Sequence, residues 1–378
     1  MLASVVLALT VAEPGWVQLE QDSLRRVYGT RFIADFSQFR LLETSPEEWT
    51  TPYISEDGAR VFAGARTGVL ESLDTQNGQR LWRRLDMGAL GFAMFEYEGL
   101  LLVGSDSDLA ALDQGTGETR WSVDINGRIG GPVARVGTLA ILPVRPNSFV
   151  AVDLEKQAIV WRVKRSTPDG ITVRGQAGAG IDQARNRAYL GFSDGVLQAV
   201  GLADGQTLWS ATLGKSEEFF ADIDTTPLLV DRGSGLLAAS YNGGLTRLDP
   251  ENGSVVFKQA LTRITGLVLG RPGLAIATHG DGIVMGIDTS NGKVHWRYRA
   301  KKGAPTPPRI LSGGLVAVGF ARSPLSLLRI DTGRPVQLIS PGAGISVPPF
   351  ARGDFMAVMT NEGVLLALAR GVGISSQL

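Results

Sequence analysis

The feature that most restricts this chain is a phrase that recurs along almost its whole length. An apolar strand leads into a Gly or Asp-Gly turn, a second strand ends in aspartate, a Gly turn follows, and a tryptophan closes the unit. The copies begin with RVFAGARTGVLESLDTQNGQRLW (Arg60 to Trp82) and continue through LLLVGSDSDLAALDQGTGETRW, ending at Trp121, and LAILPVRPNSFVAVDLEKQAIVW, ending at Trp161. Further copies end at Trp209, Phe257 and Trp296. A seventh, LVAVGFARSPLSLLRIDTGRPVQL, reads as having a turn shorter by two and no aromatic, and an eighth stops after its second strand. Asp74, Asp113, Asp153, Asp249 and Asp288 each precede the aromatic by eight residues. With Gly201 and Asp331 placed in the same series, successive spacings are 39, 40, 48, 48, 39 and 43. A period of about 40 built only from strands is the mark of propeller blades, because one hairpin unit cannot bury its own apolar face and must stack on the next.

The fold class is therefore all-β, an eight-bladed β-propeller of four-stranded antiparallel blades. A short innermost strand precedes each copy, from TTPYISED in the first to SVPPFARG in the eighth. The eighth blade runs out of chain, so its outer strand is expected from the N-terminal stretch Arg31 to Leu42, which removes the open sheet edge. Residues 13–378 then form one domain. Alternation such as Val69-Leu-Glu-Ser-Leu73 fits half-buried strands. Asn-Gly pairs at 77–78, 252–253 and 291–292 supply the backbone angles of tight turns. The repeat aspartates are expected to bond the amides of their own turns, and the tryptophans to pack between blades.

Composition narrows the function. The chain has no cysteine, which excludes disulfides, thiolate metal sites and cysteine nucleophiles. Only two histidines occur, His279 and His295, both in the sixth copy, so neither a multi-histidine metal site nor a Ser-His-Asp set is expected. Lys plus Arg equals Asp plus Glu at 37 each, with no basic run, so no nucleic-acid partner is expected. Residues 1–12 are mostly apolar and too short to span a bilayer as a helix. They fit the apolar part of an export signal, with Thr10 and Ala12 as small residues ahead of a cleavage point.

The D-x-x-x-G-x-x-x-W phrase resembles the PQQ-like tryptophan-docking repeat of quinoprotein propellers. Within that superfamily the chain resembles the BamB family of the outer-membrane β-barrel assembly machinery. The more specific match is Asp222-Ile-Asp-Thr-Thr-Pro227, followed by Ser240-Tyr-Asn-Gly-Gly-Leu-Thr-Arg-Leu-Asp249, with an upstream loop Ile171-Thr-Val-Arg-Gly175. The resemblance implies a non-catalytic scaffold without cofactor or metal at the periplasmic face of the outer membrane. It implies docking of the periplasmic domains of BamA and contact with unfolded outer-membrane clients. Membrane association would come through partners or through a lipid anchor. The family's anchor is a cysteine, which this sequence does not contain.

Sequence spacing alone points to the same region, since both 48-residue intervals bracket blade four. Insertions in a repeat array fall in loops, and loops on a rigid scaffold carry function. Arg174 offers a planar fork for a carboxylate, Asp222 and Asp224 offer acceptors for basic partners, and Ile171 and Val173 offer an apolar centre. The alternative for the two aspartates is capping of the turn before Thr225. Two other classes share the fold: a PQQ-dependent dehydrogenase, which would need clustered oxygen ligands for calcium, and a propeller that binds a ligand or peptide generically.

Overall fold

The computed structural model describes residues 26–36, 49–166, 176–214 and 221–371. Within them the chain forms eight four-stranded antiparallel sheets. Seven follow chain order from the innermost to the outermost strand. In the eighth, the strand Tyr28–Asp35 pairs along the outer side of Val364–Arg370. The ring is closed by chain segments from opposite ends of the described residues. The sequence reading placed this strand at Arg31 to Leu42. It begins earlier, at Tyr28, because its register is set by its partner: Tyr28 lies opposite Arg370 and Phe32 opposite Ala367. Residues 37–42 lie outside the described residues.

The core lies between blades rather than inside any one of them. Each of eight buried apolar clusters joins two consecutive blades, and one of them links blade eight back to blade one through Met359, Leu365, Ile54 and Val61. Middle strands such as Leu139–Val144 are therefore buried on both faces. Outermost strands such as Thr119–Asp124 alternate with solvent.

The turn aspartates behave as expected. Asp113 Oδ1 accepts the amides of Gly115 (2.8 Å) and Thr116 (3.0 Å), and Asp74 Oδ1 accepts those of Gln76 and Asn77. The tryptophans are interblade rivets. Trp82, Trp161, Trp209 and Trp296 donate their indole N–H to the backbone oxygens of Gln114, Leu202, Pro250 and Ile330 in the following blade, at 2.7–3.1 Å. Each ring lies flat against a glycine of that blade's turn. At Gly333, with φ +67, an added Cβ would sit 2.2 Å from a ring carbon of Trp296. Phe32 of the closing strand occupies the same place against Gly78 of blade one.

Blade seven corrects the sequence alignment. Gln337 pairs with Leu327 as Trp296 pairs with Gly286, so Gln337 holds the tryptophan position. The bonds Arg329 N–H to Arg334 O (2.9 Å) and Gly333 N–H to Arg329 O (2.8 Å) repeat those of Asp288 with Lys293 and Gly292. The turn is thus full length. Arg329 rather than Asp331 stands in the aspartate place, at a spacing of 41 from Asp288. The two backbone bonds, with the Arg334 amide donating to the Thr332 hydroxyl (3.4 Å), hold this turn in shape without an aspartate.

Candidate partner-docking face

The two connections that enter and leave blade four, 165–179 and 213–227, are each fifteen residues long. The connections into blades two and six, 85–89 and 260–263, are much shorter. Antiparallel alternation puts every interblade connection on the same face of the ring as the turn between the second and third strands. The two long connections therefore emerge side by side, one blade apart. The connection from the closing strand into blade one, 36–52, is also long. It escaped the repeat count because it precedes the first copy.

The bases of the two connections are fixed by polar contacts. Arg165 Nε lies 2.6 Å from Asp194 Oδ2, and its guanidinium stands over the Phe192 ring at 5.8 Å. Asn147, almost fully buried, donates from Nδ2 to Ser166 O (2.9 Å) and accepts the Ser193 amide (3.1 Å). Gln176 donates its amide to Gly130 O and Nε2 to Ser148 O. Turns of blades three and four thus clamp both described ends of the first connection. None of these contacts has a repeat signature, so sequence reasoning missed them. Ile171, Val173 and Arg174 fall in 167–175, outside the described residues.

The described end of the second connection, from residue 221, is held by several contacts in turn. Ile223 is buried against blade four, where its amide donates to Phe192 O (3.2 Å). The Thr225 hydroxyl engages the backbone of Ala239 in blade five, and the Thr226 hydroxyl accepts the amide of Gly178 (3.1 Å). Asp222 O accepts the Tyr241 amide at 2.9 Å. Asp222 is buried at 6% exposure, together with Ala221 and Ile223 on either side, while Asp224 remains partly exposed. Asp222 and Asp224 share one turn but not one environment. Asp224 is the less buried of the two, although its Oδ2 is itself covered.

The histidines have local roles. His279 Nδ1 accepts the Asp281 amide (3.1 Å), and His295 Nε2 lies 3.3 Å from Asp288 Oδ2. Burial pushes His279 below the ordinary imidazole value. Among the described residues, no three His, Asp or Glu side chains are grouped to hold a metal ion.

Ring closure, interblade tryptophan docking and an elaborated loop face define the class: an eight-bladed propeller of the PQQ-like repeat type. The family model described as outer membrane protein assembly factor BamB matches residues 66–246 and 230–370, and the chain belongs to that family. The outer membrane protein assembly factor BamB of Yersinia pestis is 24% identical over 359 residues, covering 89% of this chain and 90% of the relative. That of Salmonella typhimurium is 24% identical over 330 residues, covering 82% of each. The crystal structure of BamB from Moraxella catarrhalis superposes with a TM-score of 0.74 at 22% identity, covering 91% of this chain and all of that one. The quinohemoprotein alcohol dehydrogenase of Comamonas testosteroni also superposes, with a TM-score of 0.69 at 14% identity, covering 93% of this chain and 78% of that enzyme. That likeness is one of fold.

Proposed function

We propose that this chain is a non-catalytic scaffold in outer-membrane protein assembly, working at the periplasmic face of that membrane. It docks the periplasmic domains of BamA and assists delivery of unfolded β-barrel clients. One observation carries the reading: two fifteen-residue connections stand on one face and flank a single rigid blade. The packed ring fixes where both connections start and end, so the spacing of the two loop bases is set before a partner arrives. In this reading Ile171 and Val173 form the apolar centre, Arg174 meets a carboxylate or carbonyl, and Asp224 meets a basic group. Asp222 contributes chiefly by fixing the turn that presents Asp224.

The test is binding of purified chain to the BamA periplasmic domains. Arg174→Glu and Asp224→Arg are each expected to weaken it at least tenfold, consistent with loss of a charge-assisted contact, with unchanged thermal melting. Affinity equal to the parent in both variants would remove this docking surface. Incubation with PQQ and calcium is expected to leave dye-linked alcohol oxidation at background, and clear turnover would return the chain to the quinoprotein enzymes.

A further inference from the structure

The innermost strands line the axis of the ring, and their ends carry charges that the docking face does not use. Arg309 belongs to the innermost strand of blade seven, Phe350 and Arg352 to that of blade eight, and Tyr53 to that of blade one. All lie near the turn from first to second strand, at the mouth opposite the docking connections. The Phe350 and Tyr53 rings meet at 4.9 Å between centroids. The Arg309 guanidinium stands 4.5 Å from the centre of the Phe350 ring, and that of Arg352 stands 6.0 Å from it and 5.7 Å from the centre of the Tyr53 ring. Two cations thus lie against one aromatic side chain.

Their anchors are neutral. Arg309 Nη2 donates to Ala351 O at 2.9 Å, while Arg352 donates from Nε to Ile54 O at 3.1 Å and from Nη2 to the Tyr53 hydroxyl at 3.2 Å. Among the described residues, neither arginine forms an ion pair with an Asp or Glu. Asp354, in the turn after Arg352, pairs with neither arginine, and the carboxylates that act on Tyr53 are engaged elsewhere. Glu96 accepts the Glu56 amide at 2.8 Å, and Glu56 lies 3.7 Å from Arg135.

A guanidinium is always charged, and charges withdrawn from water are normally paired. Burial, and then the nearby charge of Arg352, press the Arg309 guanidinium below its ordinary value. The Tyr53 hydroxyl, pushed up to about 12 chiefly by burial, stays neutral near pH 7. It accepts from Arg352, which leaves its own proton for another acceptor. Each guanidinium also has N–H groups beyond those its anchors use. The arrangement is short of one thing, an acceptor with negative charge.

We propose that Arg309 and Arg352 form a binding site for a small oxyanion, a carboxylate or a phosphate, at this mouth of the central channel. The planar fork of arginine suits both. The site is independent of the docking face, so Arg174→Glu is expected to leave it intact.

The experiment is calorimetric titration of the full chain with sodium phosphate, and separately with sodium acetate, with ionic strength held constant by sodium chloride. Saturable binding is expected in at least one arm, and the tighter arm identifies the source chemistry. Arg309→Gln and Arg352→Gln should each weaken it about tenfold or more, as expected for loss of a charged hydrogen-bond donor. The corresponding Lys variants should retain part of the affinity. Selenate soaked into crystals should give density within hydrogen-bond reach of both side chains, which locates the site even where a Gln variant does not fold. No saturable heat in either arm, undiminished binding by both Gln variants, or selenate density only elsewhere would overturn the proposal.

Discussion

The junction between blades six and seven and the junction between blades seven and eight solve one packing problem in two ways. At the first, Trp296 crosses to blade seven, covers Gly333 and donates to Ile330 O. At the second, the equivalent residue is Gln337. The blade beyond it has no turn joining its third and outer strands, because Val364–Arg370 and Tyr28–Asp35 come from distant parts of the chain. Among the described residues, no turn between those strands is present for a tryptophan to cover. The Gln337 amide instead bonds the start of the closing strand. Oε1 accepts the amides of Val27 and Tyr28, and Nε2 donates to Tyr28 O, all at 2.8 Å. Where the chain is continuous an aromatic ring makes the join, and where two ends meet an amide does. At this position the join is made by hydrogen bonds, which contribute less net stability than a buried ring.

That contrast predicts a ranked set of losses. Trp296→Ala, at a side chain only 3% exposed, is expected to cost about 3–5 kcal/mol, read as a lower denaturant midpoint. Next comes Gly333→Ala, which forces a Cβ against the Trp296 ring at positive φ and should cost about 2–3 kcal/mol in the same measurement. Gln337→Ala should cost less, about 1–2 kcal/mol. Its signature is local: hydrogen exchange should accelerate along Tyr28–Asp35 while the middle strands of blades two to six stay protected. Gln337→Trp should not restore that protection. If Gln337→Ala destabilised as much as Trp296→Ala, the two junctions would be equally strong and the comparison would break.

The smallest effect is electrostatic and belongs to blade six. Because burial lowers the folded-state value of His279, the neutral ring is preferred in the native state. Its contribution is fully present above the unfolded value of about 6.5 and is lost as pH falls through the lower folded value. His279→Gln should flatten that part of the stability profile. Gln337 does not titrate, so the cost of Gln337→Ala should stay the same across this range.

The repeat was legible because its chemistry is local. Asp113 and Gly117 lie in one turn, and the carboxylate serves amides two and three residues on. The same rule misaligned blade seven, where Asp331 attracted the match although Arg329 occupies the place and Asp331 instead pairs with Arg271 of blade six. Sequence spacing located the long connections around blade four but not how their residues divide between inside and outside. The burial of Asp222 depends on Tyr241 and its neighbours in the next blade, and no periodicity within the connection encodes it. Likewise, the arginine pair at the axis comes from blades seven and eight at two different places, Arg309 where other repeats carry Leu228 or Ala134 and Arg352 where they carry Val230 or Val136. Only the ring brings the two arginines together.

The pairing of Tyr28–Asp35 with Val364–Arg370 also sets an order of events. The strand that leaves the ribosome ahead of every blade waits for the one that leaves after them all. Until both are present, Phe32 has no seat, Gly78 has no cover, and the ring stays open. A polypeptide wired this way cannot complete its ring before its last strand exists.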